Sequence, residues 1–335
     1  MHTTSPFLDA ATVETSVAAA VAAPSIHNTQ PWRFGLDPET LTFQVRAAPE
    51  RGLRRADPAG RALHLSVGAS VLNLRVAMAH FGWSPVRRLL PAPEDPGLLA
   101  VLRLAGRDTR SATGHRAHLY EAIWRRHSSR LPFAGRPLPS YLRTELGEAA
   151  RVEGARLWFP DAAGTARLLR LTAEAERRNR VDTDRATEGS RWVHRDLDPI
   201  ADVGLPRAVL GPQDTRELLP MRDFTAQQHT ERLVARPFEA APHIAVLITE
   251  HDSRADWLRA GQALQHMWLL ATAHGLRASL LHQALEWPDL RRSMSPVPGP
   301  AGHAQMLIRF GYGPEGPASP RRAPRTVVDD VLASR

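Results

Sequence analysis

Two stretches of the chain carry apolar residues at helical spacing around most of their circumference. Residues 66–82 read Ser-Val-Gly-Ala-Ser-Val-Leu-Asn-Leu-Arg-Val-Ala-Met-Ala-His-Phe-Gly, and residues 261–275 read Gly-Gln-Ala-Leu-Gln-His-Met-Trp-Leu-Leu-Ala-Thr-Ala-His-Gly. A helix that is apolar nearly all round belongs in a core, and a closing glycine marks its end. The two are alike in detail, with Ala77, Ala79 and His80 answered by Ala271, Ala273 and His274. Strand patterns flank both. Residues 41–46 alternate, which predicts a half-buried strand; residues 243–249 are continuously apolar, which predicts a central one. Residues 98–104 and 305–310 supply a strand after each helix. The pattern predicts helix, strand, helix, strand, used twice: an α+β fold of two pseudo-symmetric halves with antiparallel or mixed sheets and central buried helices.

Residues 107–118 are polar, follow Gly106 and contain Gly114, so the boundary falls there, giving halves of 1–115 and 116–335. The second half is longer. Residues 140–146 and 161–178 have helical patterns, with Ser140 and Asp161 as expected N-caps. Residues 179–237 are polar, charged and proline-dotted, yet carry Trp192, Leu205, Leu210, Leu218, Leu219, Met221 and Phe224 as anchors. An insertion of that length with that many anchors predicts a lid. The tail, residues 313–325, is rich in Pro, Gly and Arg and is expected to run extended over the surface.

Composition narrows the function. The 335 residues are 43% hydrophobic and 23% charged, the mixture of a globular protein with a substantial core. Cysteine is absent, which excludes disulfides, thiolate metal sites and thiol catalysis. All 43 basic residues are arginine and the net charge is +8. Arginine and acid are interspersed without a basic run interleaved with aromatics, so the charge points to an anion pocket rather than to nucleic acid. No apolar run reaches the length of a membrane span. The alanine-rich residues 17–23 follow Asp9 and Glu14 instead of a basic leader, so they read as a small helix halted by Pro24, and a cytoplasmic enzyme is the default.

Two short segments carry candidate chemistry. In residues 23–34 (Ala-Pro-Ser-Ile-His-Asn-Thr-Gln-Pro-Trp-Arg-Phe) Pro24 stops a helix, and Gln30, preceding Pro31, is expected to be extended. Between them Ser25, Asn28 and Gln30 offer side-chain donors and acceptors, while Trp32 and Phe34 anchor a following strand. Residues 126–130 (Arg-His-Ser-Ser-Arg) place two guanidinium groups, two hydroxyls and an imidazole near a helix end, a set suited to phosphate oxygens. Taken singly, the first is also a plain helix-to-strand turn and the second a solvated basic helix end.

Together the two segments resemble the nitroreductase family of flavoproteins. The first is similar to that family's Pro-Ser-x-x-Asn-x-Gln-Pro-Trp element and the second to its Arg-His-Ser-x-(Lys/Arg) element. The likeness is to an internally duplicated, single-chain Acg-like branch and extends over nearly the whole chain. It implies a nitroreductase-like fold and one FMN. Its ring would be held by Pro24, Ser25, Asn28, Gln30 and Trp32, and its phosphate by Arg126, His127, Ser128 and Arg130. It further implies flavin contacts from Leu280, Leu281 and Gln283, and phosphate contacts from Arg321 and Arg322. Each half keeps what the other lacks. Residues 11–18 have no cation where a first phosphate element would stand, and residues 150–159 keep Trp158 and Phe159 without the Pro-Ser or Asn-x-Gln groups. One live cleft and one defunct cleft are expected.

The resemblance implies an NAD(P)H-dependent oxidoreductase passing hydride through flavin N5 to a nitroaromatic, quinone or activated alkene, with the cofactor carrying the chemistry and no catalytic side chain. The alternatives are a flavin-storing protein with a covered cofactor, and a cofactor-free scaffold. A pseudo-dimeric monomer suffices, and a homodimer is not excluded. Other matches fail on context. Gly311 to Gly316 spell GxGxxG with no helix expected after them, His194-Arg-Asp lacks the rest of a kinase loop, and no metal-ligand spacing occurs among the 15 histidines.

Overall fold

The computed structural model describes residues 8–107, 115–194, 202–224, 234–295, 301–317 and 319–324. In the first half α1 (Ala10–Val21) is followed by β1 (Trp32–Asp37), β2 (Thr42–Ala47), α2 (Arg61–His80), β3 (Trp83–Leu89) and β4 (Leu98–Arg107). Asp9 caps α1, accepting from the Thr12 N–H at 2.8 Å. The second half opens with α3 (His115–Arg125), α4 (Ser140–Val152) and β5 (Arg156–Trp158). Then come α5 (Ala162–Val181), α6 (Thr183–Ser190) and four two-residue strands, β6 (Val193–His194), β7 (Leu205–Pro206), β8 (Gln213–Asp214) and β9 (Ala235–Arg236). The half ends with β10 (His243–Thr249), α7 (Arg254–Ala273), β11 (Arg277–Leu280), α8 (Pro288–Ser293) and β12 (His303–Gly311).

The two large sheets are built alike. The first has the order β1-β2-β4-β3, the second β5-β10-β12-β11, and every pairing in both is antiparallel. Both interior hairpin partners carry a register shift, after Val45 in β2 and after Leu247 in β10. The predicted helix, strand, helix, strand unit is therefore incomplete: each large sheet has two more strands, of which β1 alone was expected, from Trp32 and Phe34. The edge strands β3 and β5 escaped notice because their mixed, half-buried faces show little apolar contrast. The continuous apolar run of β10 does lie inside its sheet.

The halves meet where α2 crosses α7. Gly68 and Gly261 occupy the same turn of their respective 20-residue helices and sit against each other. A Cβ on Gly68 would lie 2.3 Å from the Leu258 carbonyl oxygen, and one on Gly261 would lie 2.0 Å from that of Leu65. The reciprocity is that of a pseudo-two-fold axis, and only glycine permits backbones that close. Beside the crossing Gln265 donates to the Asn73 amide oxygen at 2.7 Å, and Asn73 donates to the Ala19 carbonyl at 2.7 Å. The two cores interlock there: Leu258 of α7 packs with Trp32, Phe34 and Phe43, while Leu65, Leu72 and Val76 of α2 pack with the α7 side. α2 is long and apolar enough to cross a membrane, but it is buried as this core helix.

Two helix starts test the capping assignments. Asp161 caps α5, accepting from Gly164 N–H at 2.7 Å. Ser140 is instead the first helical residue, and Pro139, whose fixed φ suits a helix entry, takes the cap position. The expected boundary at residues 107–118 falls largely outside the described residues, as does the segment after His194.

Candidate functional site

A cleft with about 1310 Å³ of open and enclosed space lies between the halves. Its floor comes from Ala62, Leu65, Ser66 and Ala69 of α2 and Leu264 of α7. One wall is the loop leaving α1 and another the segment following α3. Pro24, Ser25 and Asn28 from the first wall face Arg126, His127, Ser128 and Arg130 from the second. Leu280, Leu281 and Gln283 line a third side at the end of β11, and Arg321 closes a fourth. Sequence positions nearly 300 apart thus converge on one cavity. Gln30, Trp32 and Arg322 do not line it.

The first wall is strained. His27, Asn28 and Gln30 have φ of 48°, 55° and 49°, a region side chains seldom occupy. Gln30 was expected to be extended before Pro31; it is not. The Trp32 N–H donates to the Gln30 carbonyl at 2.9 Å, closing a tight turn around the proline. The Ser25 hydroxyl accepts from the Gln30 N–H at 2.9 Å, which holds the reversal. Trp32 is an anchor buried in the first core, not a cavity residue.

The amides of this loop bind the chain itself. Asn28 donates to the carbonyls of Gly204 and Pro320, both at 2.9 Å. Gln30 donates to the Asp202 carbonyl at 2.7 Å and accepts from the Arg322 N–H at 3.1 Å. Their place is therefore to fasten the insertion and the tail beside the cavity. The tail does not simply cross the surface: Pro317, Pro320 and Arg321 are cavity wall, and Arg322 is buried near Asp202. His127 joins in, because its Nε2 accepts from the Gly316 N–H at 3.2 Å, leaving Nδ1 to donate to the Arg125 carbonyl.

The second wall is cationic. Burial, then Arg321, lowers the Arg126 guanidinium to about 9. Burial, then Arg222, lowers that of Arg130 to about 10. Neither has a carboxylate partner within ion-pair distance among the described residues; Arg126 donates to the Ala22 carbonyl at 3.0 Å and Arg130 to that of Val209 at 2.9 Å. Buried cations without counter-ions favour an anionic ligand. Ser128 stands between them at the wall, whereas Ser129 is buried and its N–H donates to the Ala278 carbonyl at 2.9 Å.

Residues 202–224 roof the cleft with Leu205, Met221, Arg222 and Phe224. Leu205, Val209 and Leu210 form a small core with Val193 and Phe224, so the anchors of the insertion have a packing partner. Leu218 is exposed instead. Arg222 pairs with the fully buried Glu286, which also takes Arg185 at 3.3 Å and His282 Nδ1 at 3.1 Å. Burial pushes the Glu286 carboxyl up, but Arg222 and His282 overcome it and hold the group well down. His282 Nε2 meets Arg61 at 3.0 Å, so it accepts there and its proton sits on Nδ1. This network was not legible beforehand, because Arg61, Arg222 and the His282–Glu286 pair lie in three separate stretches.

His27 also lines the cleft, and no motif had singled it out. It is 8% exposed, and both ring nitrogens lack a hydrogen-bond partner. Burial, then Arg222, holds its pKa well below the usual imidazole range, so the ring is neutral. No cluster of metal-ligating side chains occurs among the described residues. His80 stacks on Tyr120 at 3.9 Å between centroids, His266 faces Glu153 at 3.5 Å and His274 faces Glu145 at 3.0 Å, all structural roles.

Comparison with known proteins supplies relatives along the whole chain. No family profile matches. The chain is 32% identical over 328 residues to the candidate NAD(P)H nitroreductase Rv3131 of Mycobacterium tuberculosis strain H37Rv, covering 96% of this chain and 92% of that protein. It is 29% identical over 333 residues to the candidate NAD(P)H nitroreductase acg of the same strain, covering 96% of each. A nitroreductase with bound FMN from Desulfitobacterium hafniense DCB-2 superposes with a TM-score of 0.39 at 15% identity, over 61% of this chain and 94% of that one, too loosely to carry an argument.

Proposed function

The chain belongs to the nitroreductase family, and we propose that its cleft binds one FMN and uses NAD(P)H to reduce a small electron-poor acceptor. The observation that carries this reading is a pair of guanidinium groups, Arg126 buried and Arg130 half-buried, without carboxylate partners among the described residues on the wall facing the Ser25–Asn28 loop. A phosphate suits them, with Ser128 and Arg321 as further donors at the same wall. The apolar floor of α2 and α7 suits a flat ring system, and the polar loop suits its edge. The two halves of the duplicated architecture would then each contribute what the other lacks.

When bound, the flavin supplies hydride acceptance and donation. The chain's own residues bind, orient and exclude water. Arg126, Ser128, Arg130 and Arg321 fix the phosphate end. Leu280, the last residue of β11, and Leu281 after it line the cavity, and the Leu281 N–H is already committed to the Leu307 carbonyl at 2.9 Å. Gln283 lines the same side but donates to the Pro220 carbonyl at 3.0 Å, so it holds the roof rather than a ligand. Leu205, Met221 and Phe224 keep water from the face opposite the floor. Nitroaromatics, quinones and activated alkenes are the acceptor classes.

Anaerobic mixing of FMN-loaded protein with NADPH and with NADH tests the reading. Bleaching of the flavin absorbance by either, and its return on adding a nitroaromatic, is expected. The roof and its ties to Asn28 and Gln30 favour one other reading, storage of a covered flavin without turnover. That reading predicts bleaching by dithionite and by neither nicotinamide.

A further inference from the structure

Among the described residues lining the cleft, Arg126 leaves its buried Nε unpaired and His27 leaves its whole bonding capacity unused. His27 lies at the centre of the strained loop, with φ of 48° and both imidazole nitrogens unpaired. Buried polar groups in folded proteins are nearly always hydrogen-bonded, and an orphan in a cavity wall points to a partner that arrives from outside. Neighbouring polar side chains are committed elsewhere. Ser25 holds the Gln30 N–H, Asn28 holds Gly204 and Pro320, Gln283 holds Pro220, and both nitrogens of His282 are engaged.

What covers the ring is movable. Phe224 of the roof meets it edge-on, 5.3 Å between centroids, and lines the same cavity. Gly189 at the end of α6 lies behind it, and a Cβ there would sit 3.8 Å from the imidazole Cε1. A rotation of the Phe224 ring opens the imidazole to the cleft without breaking a hydrogen bond. The charged groups around His27 are Arg222, Arg130, Glu286 and His282. Glu286 is neutralised by Arg222 and Arg185, so the field at the ring is positive and selects a negatively polarised atom. A neutral imidazole brings one N–H donor to such an atom.

We propose that His27 is the specificity-determining residue for the electron acceptor, donating a ring N–H to a nitro or quinone oxygen that takes the place of the Phe224 edge. This rests on the oxidoreductase reading above. It assigns His27 to the acceptor and not to the phosphate, which Arg126 and Arg130 hold.

The test is an equilibrium titration of 4-nitrobenzoate and of 1,4-benzoquinone into oxidised, FMN-loaded protein, read by flavin absorbance with no reductant present. His27→Phe keeps an aromatic ring but no donor. It should bind both acceptors about five- to tenfold more weakly, the effect of losing one neutral hydrogen bond, in protein kept saturated with FMN. His27→Asn retains a donor and tolerates positive φ, and should stay within about twofold of wild type on the same scale. The Asn variant also guards against a Phe variant that fails to fold. Equal acceptor affinity in His27→Phe and wild type would overturn the assignment, as would an Asn variant as weak as the Phe variant. Because no turnover is involved, failure here is distinct from a failure of NAD(P)H to bleach the flavin.

Discussion

The cleft and the corresponding region around α4 and β5 differ in what fills them. Counting from the helix starts, Ser66 and Ala69 of the cleft floor correspond to Arg259 and Gln262 of α7. Leu280, five residues past Gly275, corresponds to Arg87, five past Gly82. Small and apolar floor residues on one side are thus long polar ones on the other. The connection also differs: ten residues separate α1 from β1, but only Glu153, Gly154 and Ala155 separate α4 from β5. Glu153, 2% exposed, sits in that short link and gathers Arg75 at 2.7 Å, Arg87 at 3.3 Å and His266 at 3.5 Å. Burial pushes its carboxyl up, yet His266, Arg75 and Arg87 together bring it down to about 2. The lesson is electrostatic. Where the chain supplies its own anion, Arg75 and Arg87 have a carboxylate partner; where it supplies none, Arg126 and Arg130 stand beside an open cavity without one.

The sharpest way to break this contrast is to remove the unpaired cations. Arg126→Met with Arg130→Met should weaken FMN binding by ~3–6 kcal/mol, two charge-assisted hydrogen bonds at ~1.5–3 kcal/mol each, measured by calorimetric titration. The same change should raise the melting temperature of the FMN-free protein, because it removes two buried charges. The sign with pH follows from the lowered values. A base whose folded pKa falls below its unfolded 12.5 destabilises fully at neutral pH, and that penalty fades as pH rises through about 9 and about 10. The advantage of the double variant should therefore shrink in alkaline buffer.

On the other side, Glu153→Gln should cost ~1–3 kcal/mol of stability in urea unfolding, since it leaves the half-buried Arg75 and Arg87 without their carboxylate. FMN affinity should not change. The carboxyl is depressed from 4.5 to about 2, so its stabilisation is present above pH 4.5 and lost as pH falls through about 2. The deficit of the variant should accordingly narrow in acid.

Gly68→Ala, or Gly261→Ala, should destabilise by ~1–3 kcal/mol through overpacking at the helix crossing, read as a drop in melting temperature shared by both halves. The smallest effect belongs to the roof. Asn28→Ala removes two hydrogen bonds to main-chain carbonyls, ~0.5–1.5 kcal/mol each. Hydrogen exchange near Gly204 and Pro320 should quicken while the sheets stay protected.

Much of the architecture could be read from residue order because burial leaves a strong periodic trace. The two core helices and β10 are apolar over most of their length, so their place was plain; β3 and β5 mix polar and apolar residues at the edge, and no such trace exists. In the cleft, Pro24, Ser25, Arg126 and Ser128 were legible only through the resemblance of their two segments to a family, since residue types and spacing alone also fit a plain turn and a solvated helix end. Asn28 and Gln30 were found for their amides, but which carbonyls those amides would meet depends on a lid and a tail far along the chain. His27 escaped for the converse reason. An imidazole next to an asparagine looks ordinary until its surroundings show that nothing inside the protein bonds to it.

Flavin stoichiometry measures the asymmetry between the clefts most directly. Titrating FMN into the purified chain, with fluorescence quenching as the signal, should saturate at one equivalent per polypeptide, and Glu153→Gln should leave that value at one. Saturation at two equivalents, or no quenching at all, would contradict a molecule in which one half-site is open to an anion and the other is already filled by its own carboxylate.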